Sequence, residues 1–109
     1  MGLRLARAVA TALLLCPAAG FAASEAQALS QDYGCISCHG LVRKQVGPGF
    51  AQIAARYRND PSAPAQLATR IRNGSVGSWG RVIMPRQFKV TDSDAKALAE
   101  WVLSQPSPP

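Results

Sequence analysis

The stretch Tyr33-Gly34-Cys35-Ile36-Ser37-Cys38-His39-Gly40, YGCISCHG, decides how the rest of this 109-residue chain is read. Two cysteines separated by two residues, with a histidine directly after the second, suit half of a zinc site, a redox dithiol, a small disulfide or a covalent haem attachment. Each gives the chain a different chemistry, and the residues elsewhere choose among them.

Ahead of the stretch lies a segment with the build of a secretory signal peptide. Arg4 and Arg7 make a positive start, Ala8 to Leu15 an apolar run, and Gly20-Phe21-Ala22 a small-x-small end. The expected cut follows Ala22, with Ala26 as the other candidate position. The apolar run is too short to span a bilayer, which makes an uncleaved anchor the weaker reading. Leu15 is bulky where lipid processing at Cys16 would want a small residue, so lipidation is rejected. Residues 1–22 are read as leader and 23–109 as a single domain. A domain of this size has a thin core and leans on a disulfide, metal or cofactor. Ten basic and six acidic residues remain, a net +4. That excess is modest, and no nucleic-acid partner is expected from it.

What the exported chain retains constrains the chemistry further: Cys35, Cys38, one histidine (His39) and one methionine (Met84). Structural zinc wants four ligands in a tetrahedron, and only three Cys or His are left, with His39 too close to its cysteines to close a normal chelate. A thioredoxin-type dithiol wants a strand leading into a helix N-terminus, whereas the residues before Cys35 read as helix. A disulfide across two residues would close a strained loop and staple little. Haem attachment uses every residue: two thiols add to the two vinyl groups of one haem, and the adjacent histidine is carried under the iron. Export agrees, because bacteria make this attachment outside the cytoplasm.

An iron held this way wants a sixth ligand. With His39 the only histidine, a second imidazole is not available within one chain. Met84 is the sole exported thioether and stands in Arg81-Val82-Ile83-Met84-Pro85, where the proline favours an extended loop. Most methionines fill cores; here the ligand reading is preferred.

Short helices account for most of the remainder. Leu29 and Tyr33 share a face over Ala26 to Tyr33, and Phe50, Ile53, Ala54 and Tyr57 recur at helical spacing. Leu67 and Ile71 share another face in a helix ended by Asn73-Gly74. Residues 74–90 are glycine-rich and show no convincing strand; a loop this long in a small domain wraps something. Thr91 caps a last helix with Asp94 three residues on and Leu98, Trp101 and Val102 on its apolar face. The Pro-rich end, Pro106 to Pro109, reads as a frayed tail. Trp79 is either a core aromatic or a donor to a haem propionate. Arg56 and Arg70 are either solvated charges or propionate partners.

Taken in order, CISCH, VGPGF, Asn73-Gly74-Ser75 through Trp79-Gly80, Ile83-Met84-Pro85 and the closing AEWVLSQ resemble the small bacterial class I c-type cytochromes, the c-551 or c8 group above all. The resemblance spans about Leu29 to Gln105. It implies an all-α class I cytochrome c fold in which the terminal helices cross near Gly34 and short helices wrap one haem c attached through Cys35 and Cys38. It implies His39 and Met84 as axial ligands, the Pro48 carbonyl as acceptor for the histidine ring N–H, and Arg70 and Trp79 on the inner propionate. The family commonly reads Met-Pro-Pro-Asn where this chain has Met84-Pro85-Arg86-Gln87, so the loop's rigidity differs. The function implied is that of a soluble periplasmic electron carrier, not an enzyme. It would be monomeric, without stable membrane insertion, and would run between a quinol-oxidising donor and a terminal reductase, oxidase or peroxidase. The alternative is the electron-entry haem subunit of a periplasmic oxidoreductase complex, such as one oxidising thiosulfate. Arg43, Lys44, Arg81 and Arg86 predict a basic rim that meets partners with acidic docking surfaces.

Overall fold

The protein is described by a computed structural model covering residues 2, 11–14 and 19–109. Arg4, Arg7 and Cys16 of the expected leader lie outside the described residues. Four helices carry the fold: α1 (Ala19–Asp32), α2 (Phe50–Tyr57), α3 (Ala63–Asn73) and α4 (Asp92–Leu103). A two-residue antiparallel ladder, β1 (Ser75–Val76) with β2 (Ile83–Met84), interrupts the long loop between α3 and α4. The architecture is the expected all-α one. The ladder escaped the sequence because two-residue strands carry no periodicity to read.

Local chemistry explains where the helices begin and end. Thr91 opens α4 by accepting the Asp94 N–H at 3.1 Å, with Asp92 and Asp94 in the first turn where the helix dipole favours negative charge. Gly49 precedes α2, and its N–H is taken by the Gln52 side chain at 2.8 Å. Asp60 folds back on Ser62 ahead of α3, and Gly74 ends that helix at φ 77. Helix α1 starts earlier than the Leu29/Tyr33 pattern implied, because the alanine-rich residues before Ala26 have high helix propensity.

Helix α4 is the hub, packing on each of the other three. Around Trp101 and Val102 gather Ala26, Phe50 and Ile53, with the Trp101 ring edge-on to Phe50 at 5.2 Å. Around Leu98 and Ala95 gather Val90, Leu29, Tyr33 and Ile71. Tyr33 Oη donates to Asp94 Oδ2 at 2.6 Å, tying the end of α1 to the start of α4. Contact between the terminal helices does not run through Gly34. That residue is exposed, and a Cβ there would meet only Ser37 Oγ at 3.9 Å. Glycine is needed because φ is 74, a left-handed turn that swings the chain out of α1. The tail is also more tethered than its prolines predicted: Arg58 donates to the Gln105 carbonyl at 2.8 Å and to Ser107.

Candidate functional site

From Gly34 the chain enters a single 3-10 turn, Cys35–Ser37, closed by the His39 N–H on the Cys35 carbonyl at 3.0 Å. The loop that follows doubles back, with the Val46 and Gly47 amides both donating to the Cys38 carbonyl, at 3.1 and 2.8 Å. The loop is then hooked to α2, as Phe50 and Ala51 donate to the carbonyls of Gly40 and Leu41 at 2.9 Å each. These bonds hold His39 against the segment Gly47 to Phe50. Its Nδ1–H donates to the Pro48 carbonyl at 2.6 Å, and its ring stacks on Phe50 at 5.2 Å with a 16° tilt. With Nδ1 occupied as donor, Nε2 keeps its lone pair and is the ring nitrogen left free to ligate a metal. A Cβ on Gly47 would lie 2.9 Å from the ring Cε1, so glycine is what lets the backbone pass the imidazole.

His39 faces a largely apolar cleft that also takes in Cys35, Cys38, Pro48, Arg70, Trp79 and Met84. The residues that the resemblance assigned to the site therefore all line one concavity. The cleft has a volume of about 190 Å³ and opens to solvent at its mouth. Both thiols are free. Burial pushes the Cys35 thiol above its ordinary value, the opposite of the thiolate stabilisation a redox dithiol needs.

Met84 reaches the cleft from β2. Ser75 stands opposite it in the ladder, and a Cβ on Gly74 would come within 2.6 Å of the Met84 carbonyl. The close pass of residues 74–75 by Met84 is what brings the thioether loop to the mouth. Gln87 also lines the cleft; its side chain donates to the Pro85 carbonyl at 2.9 Å and its N–H to the Ile71 carbonyl at 3.2 Å.

At one end the polar groups converge. Arg70 Nη1 donates to Tyr57 Oη at 3.0 Å, and the Tyr57 ring meets Trp79 edge-on at 6.5 Å. Arg56 is not among the residues lining the cleft: its guanidinium lies 4.6 Å over Trp79 and donates to the Ser78 carbonyl at 2.6 Å. Sequence reasoning took Tyr57 only for a core position. Its adjacency to Arg56 was visible, but its pairing with Arg70 depends on how α2 and α3 meet. Among the described residues, no carboxylate lines the cleft. Two thiols, an oriented imidazole, a thioether, an arginine and an indole N–H around an apolar slot fit a haem: sulfurs for its vinyls, N and S donors for its iron, N–H donors for its propionates.

Comparison with known proteins gives a consistent answer. The family model described as cytochrome c matches residues 23–106. The chain is 44% identical over 95 residues to cytochrome c-552 of Nitrosomonas europaea, covering 87% of this chain and 88% of that protein. It is 43% identical over 97 residues to cytochrome c-551 of Pseudomonas aeruginosa, covering 89% and 90%. The crystal structure of wild-type N. europaea cytochrome c552 superposes with a TM-score of 0.71 at 43% identity, over 72% of this chain and 98% of that one.

Proposed function

The chain belongs to the cytochrome c family, and from that premise we propose that it is a periplasmic one-electron carrier whose iron is held between His39 and Met84. One haem c, joined through Cys35 and Cys38, supplies the one-electron couple. Class I cytochromes of this size carry electrons and are not enzymes. The observation that carries the proposal is the 2.6 Å bond from His39 Nδ1 to Pro48, made by an imidazole that shares its cleft with Met84. With His39 and Met84 both given to the iron, the chain would leave it no position for oxygen or peroxide, and a thioether paired with an imidazole would raise the reduction potential. Arg70 and Trp79 are assigned to a propionate, and the apolar walls would keep water from the bound group.

Residues 1–22 are assigned to a leader removed on export. Support comes from the family match, which begins at residue 23, and from α1, whose described residues ahead of Ala26 are exposed. Among the described residues, no helix is long and apolar enough to cross a membrane. Electrons are proposed to leave at the mouth, where Val46 and Ile83 line the cleft while remaining 56% and 63% exposed. Arg43, Lys44, Arg81 and Arg86 are exposed on the segments that bear the two ligands, which supports transient docking of a monomer to acidic redox partners. Phe88, 73% exposed, favours the second reading, a haem subunit kept within a larger complex; isolation of the protein as a stable complex from its host would decide for it.

The test of the axial pair is optical. Ferric haem with a thioether ligand has a weak charge-transfer band at the red edge of the visible spectrum. Met84→Ala is expected to abolish it, open the metal to small ligands and lower the potential. A band that survives the substitution would refute the ligand assignment.

A further inference from the structure

Arg56 stands outside the cleft, yet it contacts Trp79, which lines it, and Ser78, the residue before Trp79. Its Nη1 donates at 2.6 Å to the Ser78 carbonyl, 22 residues away in sequence. The same guanidinium lies 4.6 Å from the Trp79 ring centre and 5.2 Å from that of Tyr57. The segment it reaches is otherwise loosely built: Gly77 and Gly80 flank Ser78-Trp79 with φ of 81 and 79, and a Cβ on either would meet nothing within 4 Å. Trp79 packs in part against the core around Phe50 and Trp101, but its backbone between two left-handed glycines is left with little else to fix it. A guanidinium donating one N–H to the adjacent carbonyl while lying over the indole adds that hold, from the platform of α2. Arg70 and Tyr57 complete the cluster from α3 and α2, and Arg81 follows two residues after Trp79.

We propose that Arg56 is a positioning residue, which sets the orientation of the Trp79 indole and through it the N–H bond to the propionate. This rests on the assignment of Trp79 to the propionate. The experiment uses the haem-loaded ferrous protein and reads hydrogen exchange at the two indole N–H groups by NMR, together with the midpoint potential. Arg56→Gln should speed exchange at Trp79 about tenfold, the equivalent of one hydrogen bond, while Trp101, buried against Phe50, is unchanged. Arg56→Lys, which keeps a cation over the ring but loses the guanidinium, should fall between. The potential should drop in Arg56→Gln and in Trp79→Phe, because a propionate with fewer donors favours the ferric state. The double variant should sit no lower than Trp79→Phe. Unchanged exchange at Trp79 in Arg56→Gln, or equal acceleration at Trp101, would overturn the proposal. If Trp79→Phe itself leaves the potential in place, the propionate assignment falls first; if only Arg56→Gln is silent, the positioning role alone is wrong.

Discussion

Replacing Gly47 by alanine adds one methyl group at the tightest point behind His39. The new Cβ would sit 2.9 Å from Cε1, 3.3 Å from Nδ1 and 3.4 Å from Nε2 of the imidazole. Ordinary carbon contacts lie at about 3.5–4.0 Å, so the methyl overlaps the ring by roughly 0.6–1 Å. The ring has little room to retreat, being tied to the Pro48 carbonyl at 2.6 Å and stacked on Phe50 at 5.2 Å. Overpacking of this kind costs about 1–3 kcal/mol, a fall in Tm of about 4 °C or more for a domain of this size. A weakened bond to Pro48 also leaves the imidazole a poorer donor to the metal, which disfavours ferric iron and raises the potential. Thermal melts of the haem-loaded protein would be read beside the His39 Nδ1–H resonance and the midpoint potential. Gly34→Ala is the control: its φ of 74 makes alanine costly by about 1 kcal/mol, but a Cβ there touches nothing of His39. Both variants should melt lower, and only Gly47→Ala should move the histidine proton and the potential. A Gly47→Ala protein that melts within about 1 °C of the original, with the Nδ1–H resonance in place, would refute the steric reasoning.

Covalent attachment predicts that acid–organic extraction leaves haem on the polypeptide, and that Cys35→Ala with Cys38→Ala releases it; loss from the unmutated chain would contradict the reading of CISCH. Tyr33 donates to Asp94, so ionising it would lose that bond and place a phenolate beside a carboxylate, and its hydroxyl titrates above the ordinary 10.0. The raised value means its contribution is full below about pH 10 and disappears as pH climbs through the folded-state value. Tyr33→Phe should therefore lose that part of the alkaline fall in stability, and an unchanged alkaline melting profile would count against the bond. The basic residues at the mouth predict that oxidation by an acidic partner slows as salt rises, since such charges act over roughly 10 Å and govern encounter rate. Arg81→Glu with Arg86→Glu should slow it further at low salt, and a rate indifferent to both would move docking to another face.

Much of the site was legible because its chemistry is local. Cys35, Cys38 and His39 fall within five residues, and a chain whose only histidine is His39 and whose only methionine besides Met1 is Met84 can offer an iron few other ligands of these kinds. The caps at Thr91 and Gly74, and the apolar faces of α2, α3 and α4, were legible too, since a helix repeats its pattern every 3.6 residues. The chain by itself thus determined which atoms are available to hold a haem and roughly where each helix begins and ends. Only the tertiary structure decided how those atoms are held. The bonds of Arg70 to Tyr57, Arg56 to Ser78 and Arg58 to Gln105 join residues 13, 22 and 47 apart. None of those pairs lies within one helix or one ladder, so each pairing exists only once the helices have docked around α4. Gly34 and Gly47 divide along the same line. A left-handed turn needs glycine for the conformation of its own residue, whereas the need at Gly47 comes from an imidazole eight positions earlier, brought against it by a loop that folds back through its own hydrogen bonds.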